Sequence, residues 1–397
     1  MPNGSGLLGN YSSTQSGVIV PKPGSTTQFY IFTVDAQAGD PAASTTLYGG
    51  AAYSIVDMTL NGGNGDVTTK NVQLLAPTCE KVTAVRHCNG RDIWVLIHDW
   101  NSNSFYVYSL TSTGLSAPIV TSIGDVQFDA GSGFSFEALG YMKFSPNGKK
   151  LALASYTYLN EVQIFDFDNS TGQISNPNID TNFPISFDAF GSPLNGVYGL
   201  TFSPDNSKLY VGETGYSPHS SKVYQYNMLA GSNLSIRNSR TVVHTTADRV
   251  GGLQIGPDGK IYVAKVNASS PYPADYLDVI NNPNGLGAAC NYVNQGLYLG
   301  GSGQSYYGLP DMVESFTAVP YTASLAYSTC TGNNTLTFND TILNGTISVL
   351  WNFGDPASGT ADTSTQQSPT HTFHLPARTR LVYMLATPAK RIASVNQ

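Results

Sequence analysis

The sequence predicts an all-β chain: a β-propeller of four-stranded blades, five full and one partial, followed by an immunoglobulin-like β-sandwich. Three observations carry that expectation. A turn signature recurs every 53 to 58 residues, as His87-Cys88-Asn89-Gly90, Ser145-Pro146-Asn147-Gly148, Ser203-Pro204-Asp205-Asn206 and Gly256-Pro257-Asp258-Gly259, each feeding an apolar run such as Leu151-Ala152-Leu153. Pro, Asn, Asp and Gly supply the dihedral angles that tight turns need, and self-similarity at a fixed period marks a repeat architecture. Within each period, hydrophobic residues fall at every second position over four short segments, as half-buried strands require. The composition agrees: Gly 40, Pro 22, Tyr 24 and Phe 17 stand against only 11% charged residues.

Taken in order, the first unit is read as Val18 to Val20, Phe29 to Thr33, Tyr53 to Met58 and Val72 to Leu75. The second holds Val82 to Val85, Ile93 to Ile97, Phe105 to Leu110 and Pro118 to Thr121. The third holds Tyr141 to Phe144, Leu151 to Ser155, Glu161 to Phe167 and a weak fourth strand after the turn Asp168-Asn169-Ser170-Thr171-Gly172. Tyr198 to Phe202, Leu209 to Gly212, Val223 to Asn227 and Thr241 to His244 form the fourth unit. Gly252 to Ile255, Ile261 to Ala264, Tyr276 to Ile280 and Gly296 to Leu299 form the fifth. Such sheets cannot bury both faces alone, so they pack face to face around an axis. Gly199, Gly251 and Gly252 sit in first strands, where crowding at that axis demands small residues. Tyr306 to Phe316 reads as a lone strand opening a sixth blade whose partners are missing, which predicts a ring that closes imperfectly and a parent polypeptide longer than this chain. A propeller over residues 1–320 and a second domain over 321–397 is the expected division.

A net charge of −7 without blocks of like charge gives no basic stripe for nucleic acid, and no apolar run is long enough to span a bilayer. Neither nucleic acid nor membrane insertion is expected. The four cysteines are too scattered for a zinc site or a disulfide scaffold, and Cys79 and Cys88 flank an extended strand that holds them up to ~30 Å apart.

His98-Asp99-Trp100, at the end of the Trp94 strand and with His87 nearby in sequence, is the best polar cluster available. Its spacing matches no metal motif, and an ordinary His bonded to backbone is the favoured reading. Asp166 and Asp168 lack the glycine and final glutamate of a calcium loop and are read as a self-capping turn. Gly300 to Ser305 is glycine-rich, but no helix follows to bind phosphate. Tyr156, Tyr158, Tyr216, Tyr272 and Tyr306 are placed at blade ends, where tyrosines stack on sugar rings. The candidate binding residues are therefore His98, Asp99, Tyr156, Tyr158, Tyr216 and Tyr306, with no catalytic residue, metal or cofactor.

Trp351-Asn352-Phe353-Gly354-Asp355, followed by Ser368-Pro369-Thr370-His371-Thr372-Phe373, resembles the W-D-F-G-D and N-P-T-H-x-Y signatures of PKD domains. Asn352 replaces the usual Asp. The repeats resemble the S-P-D-G-K hairpins of WD40-like propellers. Together the two resemble large secreted or surface proteins of Bacteroidetes linked to gliding motility and type IX secretion, which implies an extracellular or cell-surface location. The resulting expectation is a non-enzymatic binding or adhesion module whose partner is a glycan or an extracellular protein. The alternative is a propeller enzyme of the lyase or lactonase kind, with polar residues converging on the central channel.

Overall fold

Alternation of apolar and polar residues is realised as five antiparallel sheets in the computed structural model of the chain. The structure describes residues 1–36, 50–128, 136–268, 273–301 and 303–314, and farther on 326–328, 335–339, 348–353, 355–366, 370–373, 381–386 and 391–395. Blade one is β1 (Gly17–Pro21), β2 (Gln28–Val34), β3 (Ala51–Asp57) and β4 (Asp66–Leu75). Blade two is β5 (Thr78–Arg86), β6 (Ile93–Asp99), β7 (Ser102–Thr111), the short β8 (Gly114–Leu115) and β9 (Ile119–Gln127). Blade three is β10 (Met142–Phe144), β11 (Lys150–Ser155), β12 (Glu161–Asp168) and β13 (Gln173–Asp180). Blade four is β14 (Asn195–Phe202), β15 (Lys208–Gly215), β16 (Ser221–Asn227) and β17 (Thr241–Thr246). Blade five is β18 (Arg249–Ile255), β19 (Ile261–Val266), β20 (Tyr276–Ile280) and β21 (Tyr292–Tyr298). Every segment expected as a strand in the five units is one, and the weak fourth strand of blade three is β13.

Apolar faces of neighbouring blades supply the core. Val82, Ile93 and Val95 pack with Val18, Phe32 and Val34 between blades one and two. Phe105 and Leu96 meet Phe144 and Phe165 between two and three, and Val162 and Ile164 meet Leu209 and Val211 between three and four. Tyr210 and Val223 meet Leu253 and Val263 between four and five. First strands are almost wholly buried, as at β14 and β18. A Cβ at Gly199 would lie 2.9 Å from the Gly252 Cα, and one at Gly252 would lie 2.6 Å from the Tyr141 Cζ.

Because strands alternate in direction, the recurrent turns between first and second strands all lie on one face of the ring, here called the lower face. Turns there are tied sideways: Asn147 N donates to Asn206 Oδ1 (2.9 Å), Trp94 Nε1 to Asn169 O (2.9 Å) and Asn169 Nδ2 to Arg86 O (3.0 Å). The ends of the second strands, with the residues after them, lie on the opposite, upper face.

The lone segment expected to open a partial sixth blade is found between blades five and one. Residues 305–314 form a strap that joins blade five to blade one. Ser305 pairs with Ala274 (N to O 2.8 and 3.0 Å), and Gly252 N donates to Tyr307 O (2.6 Å). Asp311 then makes a parallel bridge to Val18, and Val313 enters the core between blades one and two. Among the described residues the strap lies between blade five and blade one and touches both. At the hub, Lys143 of β10 is fully buried and pairs with Glu314 (2.9 Å) and Asp311 (3.3 Å). Lys143 Nζ also donates to Gln254 of β18, while Gln15 Nε2 donates to Asp311 Oδ1 (3.3 Å) and Gln15 Oε1 accepts from Met142 N (2.7 Å).

Among the described residues one α-helix escapes the alternation, α1 (Asn233–Asn238), capped by Ser232, whose side chain accepts from Ser235 N. Farther on, β22 (Ala326–Ser328), β23 (Thr335–Asn339) and β26 (Thr370–Thr372) form one antiparallel sheet. β24 (Ser348–Asn352), β25 (Thr363–Ser364), β27 (Leu381–Ala386) and β28 (Arg391–Val395) form another. His371 stacks on Phe353 (4.3 Å between centroids), and its Nε2 lies 3.1 Å from Asp355 Oδ2. The Trp351 side chain lies outside the described residues, and the PKD assignment remains an expectation.

Crowding at the axis gives a direct test. Gly252→Ala should cost about 1–3 kcal/mol, because overpacked cores lose about that much, read as a lower denaturant midpoint. Gly308→Ala, where an added Cβ meets nothing within 4 Å, should leave the midpoint unchanged.

Candidate functional site

Second strands deliver their last residues to the upper face, and near the axis their side chains converge. Tyr156 follows β11 and Tyr216 follows β15, while Tyr198 rises from β14, Arg249 opens β18 and Tyr307 comes from the strap. Tyr198 is the centre: its ring lies 5.8 Å from Tyr156, 5.8 Å from Tyr141 and 5.9 Å from Tyr307, edge-on in each case. Edge-to-face contact is the arrangement that ring quadrupoles favour. The phenols of Tyr216 and Tyr307 stand 3.5 Å apart, and Tyr156 hydrogen-bonds Tyr216.

Arg249 supplies the charge. Its guanidinium sits 4.4 Å over the Tyr216 ring, a cation–π contact, and Nη1 donates to the Tyr307 hydroxyl at 3.5 Å. Burial weakens its charge, but the neighbouring phenols more than offset this and hold it firmly protonated. Near Tyr198 lies Glu80, buried in β5, whose Oε2 accepts from Thr14 N (2.8 Å) and Thr14 Oγ1 (3.1 Å), while Thr14 hydrogen-bonds Tyr198. Burial, followed by like-charge neighbours, raises the phenols of Tyr156, Tyr198 and Tyr307 above the ordinary tyrosine value. They are neutral donors at physiological pH. One cation, several neutral donors and a nearby carboxylate thus surround one end of the axis, a set able to orient a polar ligand and polarise a carbonyl.

Of the residues expected from sequence, Tyr156 and Tyr216 enter this cluster. Tyr158 stands outside it, paired with the exposed Phe187 (5.8 Å), and Tyr306 is 53% exposed. Tyr272 lies outside the described residues. His98 is fully buried in blade two: Nδ1 lies 2.7 Å from Asp99 O and 3.5 Å from Cys79 Sγ, and the ring meets Phe105 edge-on (4.5 Å). Burial, reinforced by Lys81, pushes His98 down to about 3, so it remains neutral and does not form an acid-base pair with Asp99. His87 belongs to the lower face, stacked on Trp94 (4.8 Å). Asp168 caps Ser170 (2.9 Å to its N), as the turn reading expects, and Asp166 pairs with Lys150 across β11 and β12. Cys79 is a free, buried thiol, so it does not bond Cys88.

Sequence reading missed Arg249, Tyr198, Tyr307 and Glu80. It also missed a carboxyl pair on the upper rim, where Glu161 at the start of β12 hydrogen-bonds Asp125 of β9. Gln163 links the two: its Nε2 donates to Glu161 Oε1 (2.7 Å) and its Oε1 accepts from Asp125 N (3.0 Å). Among the described residues, no three His, Cys, Asp or Glu side chains are grouped to hold a metal ion, and no helix is long and apolar enough to cross a membrane.

No protein-family model matches the chain, and no curated protein sequence matches it. Solved structures do. A periplasmic gluconolactonase of Pseudomonas aeruginosa is 14% identical over 75% of this chain and 86% of its own, with a TM-score of 0.39. A "putative 6-phosphogluconolactonase" of Bacteroides fragilis is 14% identical over 82% of this chain and 80% of its own, with a TM-score of 0.40. PorZ, a bacterial surface component of the type-IX secretion system of Porphyromonas gingivalis, is 11% identical over 95% of this chain and 51% of its own, with a TM-score of 0.34. No residue role is carried over from them. The expectation of a non-enzymatic chain is nevertheless corrected, since two of these three neighbours bear the names of lactonases.

Stability should report the rim pair. Burial and then Asp125 push Glu161 up to about 8, so the folded protein keeps a proton that the unfolded chain releases near 4.5. That contribution is full below about 4.5 and is lost as the pH rises to about 8. The unfolding free energy should fall across this window, and Glu161→Gln should flatten the fall in a denaturant series run at several pH values.

Proposed function

We propose that the chain is a propeller hydrolase of sugar lactones, acting at the upper end of the axis. The observation that carries the reading is Arg249, stacked on Tyr216 and donating to the Tyr307 hydroxyl. The ring of a pyranose lactone would lie against the tyrosines, whose faces suit the C–H surface of a sugar and whose hydroxyls suit its rim. Arg249 and Tyr307 would donate to the carbonyl oxygen. As water adds to the carbonyl carbon, negative charge gathers on that oxygen, where a fixed cation and a neutral phenol act more strongly than water does. Cleavage of the ring C–O bond then yields an open-chain hydroxy acid. Glu80, which holds Thr14 beside Tyr198, would keep that phenol oriented.

The reading includes an extracellular location, supported by the low charge content and by the PKD-like signature at Trp351 to Phe373. The C-terminal sheets would then form a spacer domain within a larger surface protein, and the partner is a sugar.

The test is proton release from glucono-δ-lactone and a panel of related sugar lactones, followed by pH-stat with the full chain. Arg249→Ala should lower kcat/KM about 10²- to 10³-fold, the usual cost of removing an oxyanion donor, with Tyr307→Phe lowering it less. Hydrolysis no faster than the uncatalysed rate for every lactone tried would overturn the proposal.

A further inference from the structure

The hub is held by charges that lie far apart in sequence. Lys143 has no exposed surface, and its partners Glu314 (2.9 Å) and Asp311 (3.3 Å) both belong to the strap. A buried ammonium without a counter-charge is strongly disfavoured, so blade three and the strap depend on each other. The strap is otherwise lightly bound. Its described backbone contacts are the Ser305–Ala274 pair, one bond from Gly252, a 3.4 Å bond from Leu309 N to the Tyr141 hydroxyl and a single bridge to Val18. Among the described residues it has no continuous ladder like those inside the blades, and Val313 and the Tyr307 ring are its apolar anchors. Buried ion pairs add little net stability, because desolvation offsets most of their attraction. An element held this way opens at a lower free energy than sheets held by ladders and packed cores.

The same strap carries Tyr307. From it comes the hydroxyl that meets Arg249 and Tyr216, and its ring closes the packing on Tyr198. The strap also covers the two glycines of β18: a Cβ at Gly251 would lie 2.7 Å from the Tyr307 Cα.

From this geometry we infer that residues 305–314 are a releasable strap whose docking on Lys143 assembles the axial site. Docked, it delivers Tyr307; undocked, it leaves Arg249 with Tyr216 but without the Tyr307 hydroxyl and uncovers Gly251 and Gly252, while the five blades persist. Lys143 is therefore a positioning residue, acting on the site through Asp311, Glu314 and the backbone between them and Tyr307. The inference rests on the proposed lactonase reading only for its catalytic consequence.

Hydrogen exchange of the wild-type full chain in rising, sub-denaturing guanidinium separates the possibilities without any ligand. Amides of 305–314 should exchange through an opening with weaker denaturant dependence, and at lower free energy, than those of β14 and β18. Lys143→Met should then lower strap protection by about tenfold or more, with blade protection retained, and should raise nitration of Tyr307 by tetranitromethane. Glucono-δ-lactone hydrolysis by Lys143→Met should fall in kcat to near the Tyr307→Phe level. Strap and blade amides opening together in the wild-type chain would overturn the inference, even if Lys143→Met fails to fold. A wild-type chain that shows separate strap opening but no lactone turnover would remove the functional reading and leave the strap in place.

Discussion

A lysine ammonium with no access to water sets the terms for this molecule. Lys143 projects from the innermost strand of blade three into a hub where no solvent can screen it, and a bare charge there would be prohibitive. Asp311 and Glu314 answer it, with Gln254 and Gln15 completing its surroundings. The first strands of blades three and five and segments near both ends of the ring are thereby drawn to one point. Five wedge-shaped sheets could pack in several curvatures; the ion pairs at the hub favour the one in which the strap lies between blades five and one.

Above that hub the chemistry changes from ionic to aromatic. Glycines 251 and 252 let the strap backbone approach β18, which brings the Tyr307 ring beside Tyr198 and its hydroxyl beside Arg249. Glu80 and Thr14 lie beside Tyr198. The site is thus assembled from blades two, three, four and five and from the strap, so its geometry depends on how these meet more than on any single blade. Burial keeps the phenols neutral, and cation stacking keeps the guanidinium in place; both are consequences of packing at the axis.

Much of the ring could be read from the residues alone. Strand alternation depends on near neighbours, so β2, β12 and β20 were legible to within a few positions, and the glycines at the axis announced crowding before any coordinate was known. The strap was not. Tyr306 to Phe316 has the look of a strand, but nothing in it announces that Asp311 and Glu314 pair with the distant Lys143 at the hub. Arg249 and Glu80 escaped notice for the same reason: nothing near them in the chain distinguishes them from ordinary strand-end charges. The helix at Asn233–Asn238 was missed because six residues are too few to show a helical period. His98 drew attention because histidine often does chemistry, yet β6 is packed on both faces and buries it with Leu96 and Ile97.

The sideways ties among the lower turns carry a consequence for how such a chain can diversify. Asn147 reaches Asn206 in the next repeat, and Asn169 reaches back to Arg86, so lengthening any one of those connections would break a bond belonging to its neighbour. The stretch from Asp180 to Asn195 is tied as well: Asn182 O accepts from Arg240 Nη2 of the next blade (2.8 Å), and the Asp180 carboxylate accepts from the Tyr226 hydroxyl (2.8 Å). A change of length in one repeat therefore has to be matched in the next, so neighbouring blades are bound to vary together.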